Sequence, residues 1–198
     1  MQRSDLAERF ERVPQWVWFA LALLLQVMII GSLVLTHYTT TVTGRPVVLK
    51  LAPVDPRDPL RGDYLTFRYD ISRLRSDLFL DPSTGSASTP TKGETVFVPL
   101  MREGTYWVAV PGVSSRLPGP GGDAASGYYP PDAVFIKGAV TEIVGSEVHV
   151  TYGIEEYFVP EGKAASFPPN KQGSALVVVG KDGKPLIKQV FVEGRVWP

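Results

Sequence analysis

Hydrophobic residues form one long run near the amino terminus and many short alternating runs after it. No charged residue occurs from Trp16 to Leu35, and about 20 residues of helix span about 30 Å, the thickness of a bilayer hydrocarbon core. This run predicts a transmembrane helix over residues 16–38, preceded by a cytoplasmic tail at 1–15. Its length, and the lack of an A-x-A pattern after it, favour an uncleaved anchor over a cleaved signal peptide.

The runs after the helix alternate apolar and polar residues, as β-strands with one buried face do. We expect a polar tether at 39–46 and an extracytoplasmic β domain at 47–198. Hairpin turns are indicated at Arg102-Glu103-Gly104, Gly145-Ser146 and Lys181-Asp182-Gly183-Lys184. The predicted fold is therefore mainly β: a single amino-terminal transmembrane helix, then one mostly antiparallel β barrel or sandwich of about eight strands with a short helix.

Local patterns refine this domain. Ile71, Leu74 and Leu78 recur at helical spacing and predict the short amphipathic helix within residues 70–79. Gly138 lies inside a predicted strand and suggests a bulge or a sharp bend. Phe158, Val159 and Phe167 are expected to be core or covering residues, and Trp197 to tuck into the fold. The Gly- and Pro-rich segment 111–131 ends in Tyr128-Tyr129, which either docks a partner or folds back on the sheet.

Residues 52–71 form the least generic stretch of the sequence. Pro53, Pro56 and Pro59 exclude a helix there, and the strand that follows places Leu65, Phe67 and Tyr69 on one face. Asp63 shares that apolar face and needs a partner, for which Arg57 and Arg61 are nearest. The alternatives are a purely structural tie and a binding site. The candidate binding residues of this stretch are Asp55, Arg57, Asp58, Arg61, Gly62, Asp63, Tyr64, Arg68 and Tyr69.

A second unusual stretch runs from residue 152 to 163 and reads YGIEEYFVPEGK. Its candidate binding residues are Tyr152, Gly153 and Glu161. Glu155, Glu156 and Glu161 invite a calcium or acid–base interpretation, but their spacing matches no established metal loop. We therefore predict no metal site and no cofactor.

Both stretches carry a family resemblance. GDYLTFRY at residues 62–69 resembles the motif that names the GDYXXLXY proteins, with Phe67 in place of the leucine. The preceding PVDPRDPLRGDY and the later YGIEEYFVPEGK are similar to other recurrent segments of that family. The resemblance implies a bacterial envelope protein in the inner membrane, with one membrane segment, its carboxy-terminal domain outside the cytoplasm and a multi-spanning membrane protein as a possible partner. It implies no catalytic residue.

Composition excludes several classes of function. The 20 basic and 20 acidic residues cancel, which disfavours nucleic-acid binding. There is no cysteine and there are only two histidines, which argues against thiol catalysis and a histidine-rich zinc site. The Gly-Asp-Tyr context is locally similar to signal peptidases, but Val54 stands at the place of their nucleophilic serine, so Ser–Lys chemistry is absent.

These observations favour a non-catalytic interaction or accessory module of a membrane complex. Gln26, the strongly polar residue near the middle of the apolar run, is a possible contact with a partner helix. Two alternatives stay open. One is a binder of a glycan or lipid headgroup through Tyr64, Arg68 and Tyr106 or Trp107; the other is a hydrolase that uses carboxylates such as Asp63 and Glu161.

Overall fold

The computed structural model describes residues 14–52, 64–81, 86–117, 129, 132–160 and 173–197, with side chains at all of these except residues 15, 33–42 and 64. The first element of the described residues is the α-helix α1 (Gln15–Thr43). It ends later than the predicted boundary at residue 38, and β1 begins at Arg45, so much of the range assigned to a tether is helix or strand. Among the described residues, no helix meets both the length and the apolarity required to cross a membrane.

Twelve strands lie in the described part of the β domain. They are β1 (Arg45–Ala52), β2 (Tyr64–Thr66), β3 (Arg68–Tyr69), β4 (Arg73–Arg75), β5 (Thr95–Glu103), β6 (Tyr106–Ala109), β7 (Val134–Val144), β8 (Glu147–Thr151), β9 (Glu156–Phe158), β10 (Gly173–Val179), β11 (Pro185–Val192) and β12 (Arg195–Trp197). All pairings between these strands are antiparallel. The prediction of a mainly β domain is confirmed.

The strands form three sheets with the orders β12-β11-β10-β1-β3, β2-β9 and β4-β8-β7-β5-β6. The segment from β2 to β4 joins them, because its successive parts pair with β9, with β1 and with β8. A further link comes from Lys137 on β7, whose backbone N–H donates to the carbonyl of Gly183 in the β10–β11 turn. The result is a nearly closed, barrel-like sheet.

One hydrophobic core fills this sheet. Alternate residues of each long strand point inward, and on β1 these are Val47, Leu49 and Leu51. The core includes side chains from every part of the described β domain, and Trp107 and Trp197 pack against its margin. The predicted position of Trp197 is therefore confirmed. The three predicted hairpins are confirmed as well, as β5–β6, β7–β8 and β10–β11.

The predicted short helix within residues 70–79 is wrong. A 3-10 turn (Asp70–Ser72), strand β4 and a second 3-10 turn (Ser76–Leu78) occupy these residues. Strand β8 offers backbone partners to β4 along its edge, and such pairing is open to extended residues but not to a helix. Ile71 and Leu74 are therefore buried in the core, although the segment that carries them is not an α-helix.

Two other local predictions need correction. The register shift of the β7–β8 pair lies between Val140 and Glu142, not at Gly138. Phe158 is 76% exposed and does not pack on the core, because it lies on the outer face of β9, opposite Tyr64. Tyr129, by contrast, follows the fold-back alternative: its hydroxyl donates to the carbonyl of Gly112 at 2.8 Å, and its ring packs edge-on against Phe135.

Candidate functional site: the paired motif segments

The structure brings the two unusual stretches of the sequence together. Strand β2 belongs to the first stretch and β9 to the second, and they pair with Tyr64 opposite Phe158, Leu65 opposite Tyr157 and Thr66 opposite Glu156. Beyond this ladder, the backbone N–H of Phe67 donates to the carbonyl of Glu155 at 2.6 Å. The two stretches therefore form one structural unit.

Two tyrosine hydroxyls link the stretches by hydrogen bonds that run in opposite directions. Tyr69 donates to the carbonyl of Ile154 at 2.7 Å, and Tyr152 donates to the carbonyl of Ile71 at 2.6 Å. Both hydrogen bonds are buried. We call these four residues the tyrosine clasp, because each stretch supplies one hydroxyl and one carbonyl to it.

Burial sets the protonation state of the clasp. Desolvation raises the pKa of Tyr69 and of Tyr152 well above the usual value for tyrosine, and the nearby carboxylate of Glu155 adds to both rises. The hydroxyls are therefore neutral donors over the whole physiological range. Glu155 also has a structural contact, since its Oε1 accepts the backbone N–H of Tyr152 at 2.6 Å.

Close packing surrounds the clasp. The rings of Phe67 and Tyr157 stack with centroids 6.0 Å apart. Gly138 lies beneath Tyr152: a Cβ atom at this position would come within 2.5 Å of Val150 Cγ1 and 3.0 Å of Tyr152 Cδ1. This close approach, rather than a bulge, is the reason for glycine at position 138.

The described candidate residues divide into buried and surface positions. Tyr69 and Tyr152 are buried in the core. Arg68 is exposed on β3, opposite Ala52, and Gly153 is exposed with a φ of 75°, a conformation that glycine adopts without strain. Tyr64 has its backbone in the β2–β9 ladder. The alternation predicted for Leu65, Phe67 and Tyr69 is confirmed, since all three are buried.

The remaining candidate residues lie outside the described part of the chain. They are Asp55, Arg57, Asp58, Arg61, Gly62, Asp63 and Glu161. The predicted partnership of Asp63 with an arginine, and the meeting of acidic side chains, stay predictions. Within the described residues, no group of three His, Cys, Asp or Glu side chains is placed to hold a metal ion.

Comparison with known proteins decides the family. Residues 26–190 match the family described as GDYXXLXY protein. The chain belongs to the GDYXXLXY family. No curated protein and no solved structure matches it.

The structure gives the GDYXXLXY motif of this chain a physical reading. Its last tyrosine is Tyr69, which supplies one hydroxyl of the clasp. Phe67 occupies the leucine position and is buried, so it keeps the apolar character of that position. In this GDYXXLXY chain, the described part of the motif, residues 64–69, therefore holds the second stretch in place.

Sequence reasoning identified both tyrosines of this GDYXXLXY chain as candidates but missed their partners. The acceptors are backbone carbonyls of Ile154 and Ile71, separated from the tyrosines by 85 and 81 positions. Carbonyl oxygens are common to all residues, so no residue type marks them. The available signal was the presence of a tyrosine on a buried face in each stretch, because a buried tyrosine hydroxyl usually has a hydrogen-bond partner.

Proposed function

We propose that this chain is a membrane-anchored envelope protein whose β domain is a non-catalytic interaction or accessory module of a membrane complex. The observation that carries this proposal is the nature of α1. Its 29 residues amount to about 44 Å of helix, which exceeds a hydrocarbon core of about 30 Å. An uncharged run from Trp16 to Leu35 lies within it.

The described surface of α1 supports the same proposal. Large apolar side chains along residues 16–30 are about half exposed or more, and Phe19 reaches 76%. Exposure of so many apolar groups to water is unfavourable, at about 25 cal/mol for each Å², whereas a lipid or helix environment removes this penalty. The described side chains continue to residue 32, and the apolar run of the sequence ends at Leu35.

The tyrosine clasp supports a structural rather than a chemical role for the motif tyrosines. Their hydroxyls are bonded to backbone carbonyls in the core, and their pKa values are raised by burial. Neither hydroxyl is poised to act as an acid or base at neutral pH. The clasp instead ties β3 and the turn after it to the segment that precedes β9.

Topology is the first part of the proposal to test. The chain contains no cysteine, so single cysteines report their compartment without interference. A membrane-impermeant maleimide should label Lys92→Cys, an exposed position, in intact spheroplasts and label Ser4→Cys only after lysis. Labelling of Lys92→Cys only after lysis would contradict the extracytoplasmic placement, and release of the wild type by alkaline carbonate would contradict the anchor.

Partner binding is the second part. Wild type and Gln26→Leu should be purified from membranes in mild detergent, with Met28→Leu as a matched control on the same helix. We expect one membrane protein to accompany the wild type and Met28→Leu and to be depleted with Gln26→Leu, because an intramembrane amide hydrogen-bonds across helices. Asp63→Ala, checked for folding by near-UV circular dichroism, tests the contribution of the GDYXXLXY motif. If no protein accompanies the wild type, the interaction proposal fails.

A further inference from the structure

One end of the β domain collects basic side chains beside the junction with α1. Gly44 is the single residue between Thr43, which ends α1, and Arg45, which begins β1. Consecutive Cα atoms are about 3.8 Å apart, so the Cα atoms of Thr43 and Arg45 are within about 8 Å at any angle between the helix and the strand. Arg45 is therefore held close to the end of α1.

Strand pairing brings more basic residues to the same end. Arg45 lies opposite Val179, the last residue of β10, and the turn containing Lys181 and Lys184 follows it directly. With paired Cα atoms about 5 Å apart, the Cα atom of Lys181 lies within about 13 Å of that of Arg45. Lys188 follows on β11 at its register shift.

We call Arg45, Lys181, Lys184 and Lys188 the basic end of the sheet. All four side chains are exposed. Among the described residues, two acidic ones contact these side chains: Asp132, whose main-chain carbonyl accepts from Arg45, and Asp182, whose carboxylate lies 3.5 Å from Lys184 Nζ. The four cations therefore outnumber the acidic residues in contact with them, although the whole chain is neutral.

Backbone hydrogen bonds fix the β10–β11 turn that carries Lys181 and Lys184. The backbone N–H of Gly180 donates to the carbonyl of Lys184, and the carbonyl of Gly183 accepts from Lys137 on β7. Gly183 is buried with a φ of 81°. The lysines therefore project from a fixed backbone and not from a loose loop.

An apolar row accompanies these cations. Pro46, Val178 and Leu186 are opposite one another across β1, β10 and β11; Pro46 and Leu186 are exposed, and Val178 between them is buried. Aliphatic groups beside lysines suit contact with lipid headgroups, because lysine stems lie along apolar surface while their ammonium groups reach phosphate.

We propose that the basic end of the sheet binds the headgroups of anionic phospholipids. This inference rests on the proposed membrane anchor. The part of α1 after Leu35 contributes about 12 Å, and the headgroup layer on each side is about 5–8 Å thick. With α1 normal to the bilayer, its end then lies about 4–7 Å outside that layer, a gap that lysine side chains can bridge and that is shorter than the Debye length of about 8 Å.

The test uses the full chain in nanodiscs of phosphatidylcholine alone or with phosphatidylglycerol, with nitroxide-labelled headgroups as quencher. A fluorophore is attached to Leu186→Cys, beside the basic end. Val196→Cys is the matched control, an exposed aliphatic position on β12, which pairs with the opposite end of β11. We expect quenching at position 186 to rise with phosphatidylglycerol and to be reversed by 1 M salt, and quenching at position 196 to be unaffected by either.

A charge variant completes the test. In the Leu186→Cys background, Lys181→Gln with Lys184→Gln should lower the ratio of docked to undocked molecules in phosphatidylglycerol by about fivefold for each lysine. Arg73→Gln with Arg195→Gln removes two exposed charges, one on β4 and one on β12 opposite the far end of β11, and should leave the ratio unchanged. Equal quenching with and without phosphatidylglycerol, or no effect of the lysine variant, would overturn the proposal.

Other outcomes separate the possible failures. If the chain does not enter nanodiscs, the membrane anchor itself fails. If it enters but the probe at position 186 ignores lipid charge, only the headgroup proposal fails. Protection of position 186 in native membranes but not in nanodiscs would also overturn lipid binding, and would identify an acidic protein surface as the occupant.

Discussion

Removing the clasp hydroxyls one at a time should destabilise the β domain by an amount that depends on pH. Tyr69→Phe and Tyr152→Phe each leave a buried carbonyl without its donor. Such a loss lowers the free energy of unfolding by about 1–2 kcal/mol at neutral pH. Both hydroxyls connect the same two segments, so the double variant should lose about 0.5–1 kcal/mol less than the sum.

The pH dependence follows from the raised pKa values. Tyrosine in the unfolded chain ionises near pH 10, whereas burial keeps Tyr69 and Tyr152 protonated in the folded domain at that pH. The stability that each neutral phenol contributes is present below pH 10. Above it, the unfolded chain releases protons that the folded domain retains, so stability falls by about 1.4 kcal/mol per pH unit for each tyrosine. Phenylalanine does not ionise, so a variant loses no stability at the substituted position as the pH rises. The difference in unfolding free energy between the wild type and each single variant should therefore vanish near pH 11.

Urea unfolding of the full chain in detergent micelles measures these quantities. Trp16→Phe with Trp18→Phe removes the helix fluorophores, so Trp107 and Trp197, which pack on the core, report the β domain. Tyr106→Phe, on β6 and outside the clasp, is the control for loss of a hydroxyl. The reasoning would be refuted if each single Tyr→Phe variant lost less than about 0.5 kcal/mol of unfolding free energy at pH 8. It would also be refuted if that loss stayed constant from pH 8 to 11.

Two further predictions concern the same unit. Gly138→Ala should lower the free energy of unfolding by about 1–3 kcal/mol, because the added methyl group overlaps Val150 and Tyr152; an unchanged urea midpoint would contradict the packing described. Thr66→Cys with Glu156→Cys, on directly opposed residues, should form a disulfide under mild oxidation, detected by gel mobility. The diagonal pair Thr66→Cys with Phe158→Cys, with Cβ atoms about 7 Å apart, should not, and the reverse result would mean a different register.

Local signals in the sequence predicted the hairpins because their cause is local. Gly104, Gly145 and Gly183 all adopt positive φ, which a tight turn demands and glycine supplies at low cost. The alternating runs on either side then fix which residues face the core. These features need no knowledge of distant parts of the chain.

The failures have a different origin. Residues 70–79 were assigned to a helix because Ile71, Leu74 and Leu78 match its period, but strand β8 supplies backbone hydrogen bonds that a short isolated helix cannot equal. The hydrogen bonds of the clasp could not be predicted either, because they depend on which distant backbone carbonyl lies beside each tyrosine hydroxyl in the folded domain. Sequence spacing therefore located the unusual stretches but not the contacts between them.

The place of β1 has a consequence for biosynthesis. It is the first strand to be made, yet its longest pairing is with β10, in the last third of the chain. Until β10 has been synthesised, the edge of β1 that pairs with it in the folded domain has no partner. Contacts between residues so distant in sequence also form slowly. A ribosome that stalls before β10 would leave an unpaired strand next to α1, which is a template for aggregation. Assembly of this domain should therefore be completed only after nearly all of the chain has been synthesised.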